Sequence, residues 1–440
     1  MAIEFLNIDK YQRFVRIFSQ LSGLFSDSKK PYIPYRFAEK LYCHCVLPPA
    51  WPEDLSRADN SFDCMVRKDD ELIGVGIKTF VTSTTAYKDE KVAEFTKYAG
   101  THNLGRYNTK DLVYTIANLR NKRVLSDANE YGINIDKSFY HCLVRDDIGF
   151  FIHEEPYSLV NTEKILPIDL KGNIIDEFLQ PNGSMIPFTD GCHIYKFNTA
   201  KNTLYRRFAF NRYYNSPFYP VIINDDAFST LLALEKELAI QPHVSVATNI
   251  KRDFIILPLY TKKIDENGLP IVATKSGINQ WNAGGRKRSF GEAYIPIRST
   301  IYDLAPNFFP FDNQGRPIPF KLRLPNGNMI NAKICQEGNK ALMSDPNTDL
   351  LQWLFTLIDG DFEVSKKRKS DIKNTPYTYE DLISINKDSI AIFKDGEGIY
   401  SIKCMPLHSY EKFIELATSK GIDNINIDMI TNIDTTDDTI

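Results

Sequence analysis

Apolar residues near the start of the chain recur at the three- and four-residue spacing of an amphipathic helix. Residues 11–25 carry this spacing on Phe14, Phe18 and Leu21, and residues 37–46 repeat it after a proline. Such spacing gives a helix one apolar stripe that it can bury against a core. The pattern therefore predicts two opening helices.

The pattern then changes to short apolar runs. Residues 62–66 and 72–77 are typical of strands, and the charged segment 67–71 between them predicts a β-hairpin. The other elements predicted for this half are helices at 88–98, 109–131 and 226–238 and strands at 140–144, 193–197 and 204–210. We expect an α/β (α+β) domain with a mixed central sheet flanked by helices.

Beyond residue 250, short strands alternate with turn segments such as 325–328 and 395–398, which is typical of a small barrel. The strands predicted here are 254–260, 292–297, 320–324, 330–335, 390–394 and 400–403, with one helix at 348–357. We therefore expect a mostly β second domain. The predicted divisions are 1–240, 241–412 and an acidic C-terminal tail at 413–440, with the boundary near Gln241.

Length and composition agree with two globular domains. The chain has 440 residues, of which 43% are hydrophobic and 25% charged. No apolar run approaches the roughly 18 to 20 residues that span a bilayer, and no signal-peptide pattern opens the chain, so we expect a cytoplasmic protein without a membrane partner. The seven cysteines are sparse and odd in number, which favours reduced thiols. Cys43, His44 and Cys45 stand too close together in sequence to converge easily on one zinc ion.

The net charge of −3 argues against a protein that binds nucleic acid through bulk positive charge. The basic residues are nevertheless concentrated. They cluster at 286–288, at 366–369 and at 206–212, whereas 423–438 is acidic. A chain with this distribution can still present basic grooves to DNA.

Asp63 and Lys78 are the hairpin residues best suited to chemistry. Asp63 belongs to the first predicted strand and Lys78 ends the second, so both can project from one edge of a small sheet. Phosphodiester hydrolysis uses a cation to neutralise developing charge and to activate water, and carboxylates beside a lysine supply such a site. An Asp and a Lys on neighbouring strands are also common surface residues, so spacing alone leaves both interpretations open.

The hairpin resembles the core of the PD-(D/E)XK nucleases, in which an Asp is followed by a turn and an acid-x-Lys triplet. The triplet here is Gly76-Ile77-Lys78, so glycine stands in place of the usual acid. Some similar restriction endonucleases carry this carboxylate on the following helix. The resemblance implies that Glu94, within the helix predicted at 88–98, replaces the missing acid. Spacing alone would make Glu94 a solvated helix position.

Glu39, in the second predicted helix, matches the additional acid that this family places on an early helix. The resemblance therefore implies a catalytic set of Asp63, Lys78, Glu94 and Glu39. In that set Asp63, Glu94 and Glu39 hold Mg²⁺, and Lys78 orients the water or stabilises the pentavalent phosphate.

The second half resembles the B3-like DNA-binding pseudobarrel of restriction enzymes over about residues 250–403. The motifs that carry the resemblance are SGINQWNAGGRKR at 276–288, EAYIPI at 292–297, FFP at 308–310, LPNG at 324–327 and KALMSDPN at 340–347. In this family two arms grip the major groove, which implies arms at 276–292 and 336–348.

These arms are rich in side chains that recognise DNA, because Arg pairs with guanine, Asn and Gln with adenine, and Lys with phosphate. The residues expected at DNA are Asn279, Gln280, Asn282, Arg286, Lys287, Arg288, Glu292, Lys340, Ser344 and Asn347. Trp281 is better explained as a core anchor than as a base contact. The basic cluster at 366–369 is better explained as a solvated loop, with phosphate contact as the alternative.

The two resemblances together imply a type II restriction endonuclease of a restriction-modification system, which cleaves double-stranded DNA with Mg²⁺. Double-strand cleavage needs two active sites, so we expect a homodimer or sequential nicking. Two alternatives remain. One is a repair-type nicking endonuclease with the same catalytic core, and the other is a DNA-binding regulator that uses only the second domain. The regulator would leave Asp63, Lys78 and Glu94 without a role.

Overall fold

The computed structural model describes residues 5–431 except 27–29, 49, 56–59, 83–85, 102–103, 105–106, 179–184, 211–217, 225, 230, 233–252 and 371–373. The chain divides into two compact units. The first consists of residues 1–56, 60–120 and 133–249, and the second of residues 57–59, 121–132 and 250–440. The predicted boundary near Gln241, and the greater part of the helix predicted at 226–238, lie outside the described residues.

Three of the four α-helices described within residues 5–132 match the sequence pattern. The helices are α1 (Ile8–Gln20), α2 (Tyr35–Cys45), α3 (Thr96–Thr101) and α4 (Thr109–Tyr131), of which α4 belongs to the second unit from residue 121 onward. α1 begins where the Asn7 side chain accepts the backbone N–H of Lys10. The helices predicted at 11–25, 37–46 and 109–131 are thereby confirmed.

The strands of the first unit form two sheets. They are β1 (Trp51–Asp54), β2 (Cys64–Lys68), β3 (Glu71–Val81), β4 (Tyr87–Glu94), β5 (Phe139–Arg145), β6 (Gly149–Pro156), β7 (Leu166–Pro167), β8 (Met185–Thr189), β9 (Ile194–Asn198), β10 (Thr203–Ala209) and β11 (Tyr219–Pro220). The order is β1-β2-β3-β5-β6-β11 in one sheet and β4-β10-β9-β8-β7 in the other. The six-stranded sheet is antiparallel except for the parallel pair β3 and β5. Its core joins Tyr11 of α1 and Tyr42 of α2 to strand residues such as Ile77 and Leu143.

The predicted hairpin is present as β2 and β3. Asp69 and Asp70 turn the chain between them, with φ angles of 50° and 63° that Asp adopts more readily than most residues. β3 continues to Val81, so Lys78 lies inside the strand rather than at its end.

The helix predicted at 88–98 is wrong, because most of this segment forms β4. The strand pairs antiparallel with β10, and Asp89 accepts hydrogen bonds across the pair from Arg207 at 2.9 Å and pairs with Lys196 at 2.6 Å. These partners stand more than a hundred positions away in the chain, with Asp89 and Arg207 separated by 118. Local apolar spacing therefore predicted the wrong element.

The second unit combines one seven-stranded sheet with several helices. Its strands are β12 (Phe254–Pro258), β13 (Ile295–Pro296), β14 (Phe320–Arg323), β15 (Met329–Cys335), β16 (Ala341–Asp345), β17 (Lys387–Gly396) and β18 (Ile399–Pro406). Its helices, besides the end of α4, are α5 (Ser299–Leu304), α6 (Asp349–Asp359), α7 (Phe362–Ser370), α8 (Tyr379–Ser384), α9 (Ser409–Lys420) and α10 (Asp428–Thr431). The order in the sheet is β12-β17-β18-β14-β15-β16-β13.

Four predictions for this half need correction. The unit is not mostly β, because α-helices occupy more of its described residues than strands do. The strand predicted at 292–297 is reduced to Ile295–Pro296. The basic cluster at 366–369 lies in α7 rather than in a loop. The predicted tail from 413 onward is helical in α9, where Phe413 and Ala417 are buried.

A buried ionic cluster fixes the end of α4 within the second unit. Lys387 Nζ donates to Asp127 Oδ1 at 2.7 Å and to Glu130, and none of the three side chains is more than 5% exposed. Glu130 also accepts the backbone N–H of Cys404 at 3.1 Å. Residues 121–132 are thus part of this unit's core although they stand far from it in sequence.

Candidate functional site

Asp63 lies immediately before β2 and is held by the hairpin. Its backbone N–H donates to the Val75 carbonyl at 2.9 Å. Its Oδ2 accepts the backbone N–H of Ile77 at 2.6 Å. The carboxylate is therefore fixed against the middle of β3 before any ligand binds.

Lys78 brings a cation to the same place. Its Nζ lies 3.6 Å from Asp63 Oδ2, and the two side chains remain 25% and 21% exposed. Burial disfavours the charged amine, but Asp63 and, more weakly, Glu39 raise the pKa of Lys78 above its ordinary value. Lys78 is therefore charged at neutral pH and still reaches solvent.

Glu39 adds a second acid to this pair. It is buried on α2, where it accepts a hydrogen bond from Arg36 Nη1 at 3.2 Å. Burial, and then the negative charge of Asp63, raise the pKa of Glu39 to about 7, although Arg36 and Lys78 act in the opposite direction. Glu39, Asp63 and Lys78 thus form one electrostatically coupled cluster, which we call the acid–lysine cluster.

The structure explains why no acid stands at Gly76. A Cβ atom built there would lie 2.7 Å from the Tyr140 ring and 2.9 Å from the Tyr157 ring. These two rings stack with centroids 4.3 Å apart, and the Tyr157 hydroxyl donates to the Ser61 carbonyl at 2.6 Å. The aromatic pair occupies the space that a side chain at this position would need.

Glu94 is the last residue of β4, so the helical geometry from which its role was inferred does not apply. Its carboxylate is half exposed and accepts hydrogen bonds from Lys91 Nζ at 3.3 Å and from Thr96 Oγ1 at 2.8 Å. Both partners belong to its own segment. Neither of these two contacts involves Asp63, Lys78 or Glu39.

Glu90 is an acid near Lys78 that the sequence analysis missed. It is half-buried and stands opposite Arg206 in the pairing of β4 with β10. Burial raises the pKa of Glu90, while Lys88 and then Lys78 partly offset the increase. Its charge also acts on the buried thiol of Cys142, which is the cross-strand neighbour of Lys78. Positions 90 and 94 would share one face of a regular strand, and the extra residue at position 92 in the pairing of β4 with β10 separates Glu90 from the exposed acid at position 94.

The acid–lysine cluster has the chemistry that a hard divalent cation prefers. Among the described residues no three His, Cys, Asp or Glu side chains are arranged as a metal site. Mg²⁺ is, however, usually held by one or two carboxylates together with water and substrate phosphate. Asp63 and Glu39 meet that requirement. The positive charge of a bound cation would offset the repulsion between these two carboxylates, which together with burial raises the pKa of Glu39.

In the second unit, several residues expected at DNA are accessible. Arg286, Lys287, Lys340 and Asn347 are exposed. The Arg286 guanidinium pairs with the carboxylate of Glu292, which is itself half-buried. These five residues can approach a ligand without a change in the fold.

Two others belong to the core instead, contrary to the sequence analysis. The amide of Asn279 is buried, donates to the carbonyls of Ala273 and Tyr377 at 3.1 and 2.8 Å, and accepts the Tyr377 N–H at 2.9 Å. The hydroxyl of Ser344 is also buried and accepts the N–H of Leu350, in the first turn of α6, at 3.0 Å. Both side chains are committed to backbone groups and stabilise the fold.

The remaining three are partly buried. Asn282 donates its amide to a backbone carbonyl in the preceding segment at 3.2 Å, and Gln280 is half-buried beside it. Arg288 Nη1 donates to the carbonyls of Ala283 and Gly284 at 2.8 and 2.9 Å. Arg288 therefore stabilises its own loop, and these hydrogen bonds would have to break before its Nη1 could contact a base.

An aromatic group supports this loop from the core. Trp281 is buried, and its ring lies 4.9 Å from that of Phe290. Phe290 in turn contacts the rings of Phe355 and Phe362 at 5.1 and 5.8 Å. The interpretation of Trp281 as a core anchor is confirmed.

Comparison with models of known protein families and with curated proteins gave no match. Within the described ranges, no helix has both the length and the apolar character needed to cross a membrane. The functional argument therefore rests on the side chains themselves.

Proposed function

We propose that this protein is a sequence-specific endonuclease that hydrolyses phosphodiester bonds in double-stranded DNA with Mg²⁺, in the manner of a type II restriction enzyme. The observation that carries the proposal is the acid–lysine cluster of Asp63, Lys78 and Glu39. Two carboxylates beside a charged lysine are the groups that metal-assisted phosphodiester hydrolysis requires. They stand on a paired strand and a packed helix, which favours a fixed geometry.

Each side chain has its own task in the proposed reaction. Asp63 and Glu39 would hold Mg²⁺, which supplies an activated water and neutralises charge on the phosphate when it is bound. Lys78, kept charged by Asp63, stabilises the negative charge that develops on the phosphate oxygens. The Ile77 N–H orients the Asp63 carboxylate, so that this group need not reorganise during the reaction.

Glu90 replaces Glu94 in our proposal as the third acid. Burial raises the pKa of Glu90 above its ordinary value, and Lys78 contributes to its electrostatic environment. An acid of this kind can support the charge of Lys78 or exchange a proton with water near the phosphate.

We assign sequence recognition to the second unit. Its resemblance to the B3-like pseudobarrel supports this assignment, and the exposed residues Arg286, Lys287, Lys340 and Asn347 supply the chemistry. Arg suits a bidentate contact with guanine and Asn one with adenine, whereas Lys suits phosphate.

The proposal is tested with purified full-length protein, plasmid and genomic DNA, and Mg²⁺. Lys78→Ala should lower the cleavage rate by about 10²- to 10³-fold, the loss expected for one charge-stabilising group, while duplex binding measured in EDTA persists. Lys91→Ala is the matched control, because it removes an exposed lysine from the neighbouring β4.

Two outcomes would contradict the proposal. One is a wild-type protein that shows no Mg²⁺-dependent cleavage of any substrate, including unmethylated and methylated DNA. The other is a Lys78→Ala variant that cleaves as fast as Lys91→Ala. The plasmid also distinguishes double-strand cleavage, which yields linear DNA, from nicking, which yields open circles.

A further inference from the structure

A basic helix lies beside the loop formed by residues 283–292, which we call the arm loop. The helix is α7, whose last turn carries Lys367, Arg368 and Lys369. The Phe362 ring at its start lies 5.8 Å from that of Phe290, and Lys369 Nζ donates to the Arg288 carbonyl. α7 is thereby joined to the arm loop at both of its ends.

Lys366 belongs to the same face of α7 as these two contacts. Phe362, Lys366 and Lys369 are spaced by four and three residues, which places them on one side of a helix. Lys366 Nζ lies 5.0 Å from the centre of the Phe362 ring. Lys366 is therefore exposed along the border between the helix and the arm loop.

Arg368 holds α7 from a different side. Its guanidinium pairs with Asp359 at 2.7 Å and with Asp381 at 2.9 Å, and it lies 4.1 Å from the centre of the Tyr377 ring. Burial opposes its charge, but the hydrogen bonds that it donates to both carboxylates raise the pKa of Arg368 above its ordinary value. These contacts of Arg368 hold α7 in place, so the neighbouring lysines lie on a helix of fixed position.

We propose that α7 is a contact for the DNA backbone, in which Lys366 and Lys367 bind duplex phosphates next to the bases that the arm loop recognises. The inference rests on the proposed DNA-binding function and assigns phosphate contacts outside the two arms. Arg286 and Lys287 of the arm loop are exposed as well, so one duplex can meet cations on both elements.

The carboxylates in this surface do not prevent phosphate binding. Glu363 pairs with Lys366 at 2.5 Å and Glu292 pairs with Arg286, and both cations of these pairs are exposed. Exposed ion pairs are weak, so a phosphate can displace them at small cost.

The test is the salt dependence of duplex binding, measured with full-length protein in EDTA on a pool of random duplexes. The slope of log K against log salt falls by about 0.9 for each phosphate contact that is lost. We expect Lys366→Ala/Lys367→Ala to flatten the slope by about 1.8 and to leave the preferred sequence unchanged. Lys412→Ala/Lys420→Ala, on α9 of the same unit, removes the same charge and should leave the slope unchanged.

An unchanged slope in Lys366→Ala/Lys367→Ala would overturn the assignment of α7, and so would an equal change in the control, which would indicate bulk charge. A wild-type protein that binds no duplex would instead reject the proposed function itself. The two failures are therefore distinguishable. Lys366→Arg and Lys367→Arg retain the charge and should restore the wild-type slope, which separates lost contacts from a damaged fold.

Discussion

Replacing Lys387 by methionine should destabilise the second unit strongly. The Lys387 ammonium is enclosed with Asp127 and Glu130, and each side chain is no more than 5% exposed. Removing one partner of a buried ion pair costs about 3 to 5 kcal/mol, because the remaining charge is left without compensation. Two carboxylates lose their cation here, so we expect a loss of about 4 kcal/mol, or roughly a thousandfold increase in the unfolding equilibrium constant.

Urea unfolding followed by tryptophan fluorescence measures this loss. Trp281 and Trp353 both belong to the second unit, so the signal reports mainly on it. Lys420→Met is the matched control, because it removes an exposed lysine from a helix of the same unit. If Lys387→Met shifts the midpoint no more than this control, the reasoning about the buried cluster is wrong.

Neutralising the whole cluster should recover much of the lost stability. Lys387→Met combined with Asp127→Asn and Glu130→Gln leaves no buried charge unpaired. The same logic applies to a fragment that begins at residue 250, which lacks both carboxylates of α4. We expect that fragment to be unstable, and more stable with Lys387→Met than without it.

Three further predictions concern the site and the arm loop. Burial and Asp63 raise the pKa of Glu39 to about 7, so protons should compete with Mg²⁺ for this carboxylate and cleavage at limiting Mg²⁺ should fall as the pH drops through about 7, and Glu39→Gln should remove that titration. The pKa of Glu39 is higher in the folded state than in the unfolded state, so its contribution to stability is present at acid pH and lost as the pH rises through about 7. Urea unfolding midpoints of the wild type and of Glu39→Gln, measured across this pH range, check this expectation. Glu90→Gln should slow cleavage at least about tenfold while Glu94→Gln cleaves normally, and the reverse order would restore the original assignment. Arg286→Ala should weaken specific binding by about 1 to 3 kcal/mol and relax the preference for one base. Lys287→Ala should instead flatten the salt dependence of binding by about 0.9 for every sequence. If the two variants change base preference and salt dependence equally, these roles are contradicted.

The parts of the fold that depend on local pattern were predictable. The β2–β3 hairpin follows from two apolar runs around a charged turn, and α4 was predicted at the residues where it occurs. The structure of segment 88–98 was not predictable, because β4 is stabilised by its pairing with β10. No local property of the sequence indicates that Asp89 will pair with Arg207. The assignment of residues 121–132 to the second unit likewise depends on Lys387, far away in the chain.

The proximity of the candidate site residues was predictable only in part. Asp63 and Lys78 follow from the hairpin and its resemblance to a nuclease core, and Glu39 follows from the resemblance alone. Glu90 required the correct pairing of β4. Asn279 was overestimated because an amide in a polar loop motif suggests base recognition, whereas its burial and its three backbone hydrogen bonds become visible only in the fold.

The most direct test of the central claim is the Mg²⁺-dependent cleavage rate of Asp63→Asn, measured under single-turnover conditions on DNA that the wild type cuts. Asp70→Asn, in the β2–β3 turn, is the matched control, because Asn also adopts the left-handed conformation found there. The proposal predicts that Asp63→Asn binds duplex DNA but cleaves at least about 10²-fold more slowly, while Asp70→Asn cleaves like the wild type. Cleavage by Asp63→Asn at the wild-type rate would contradict it.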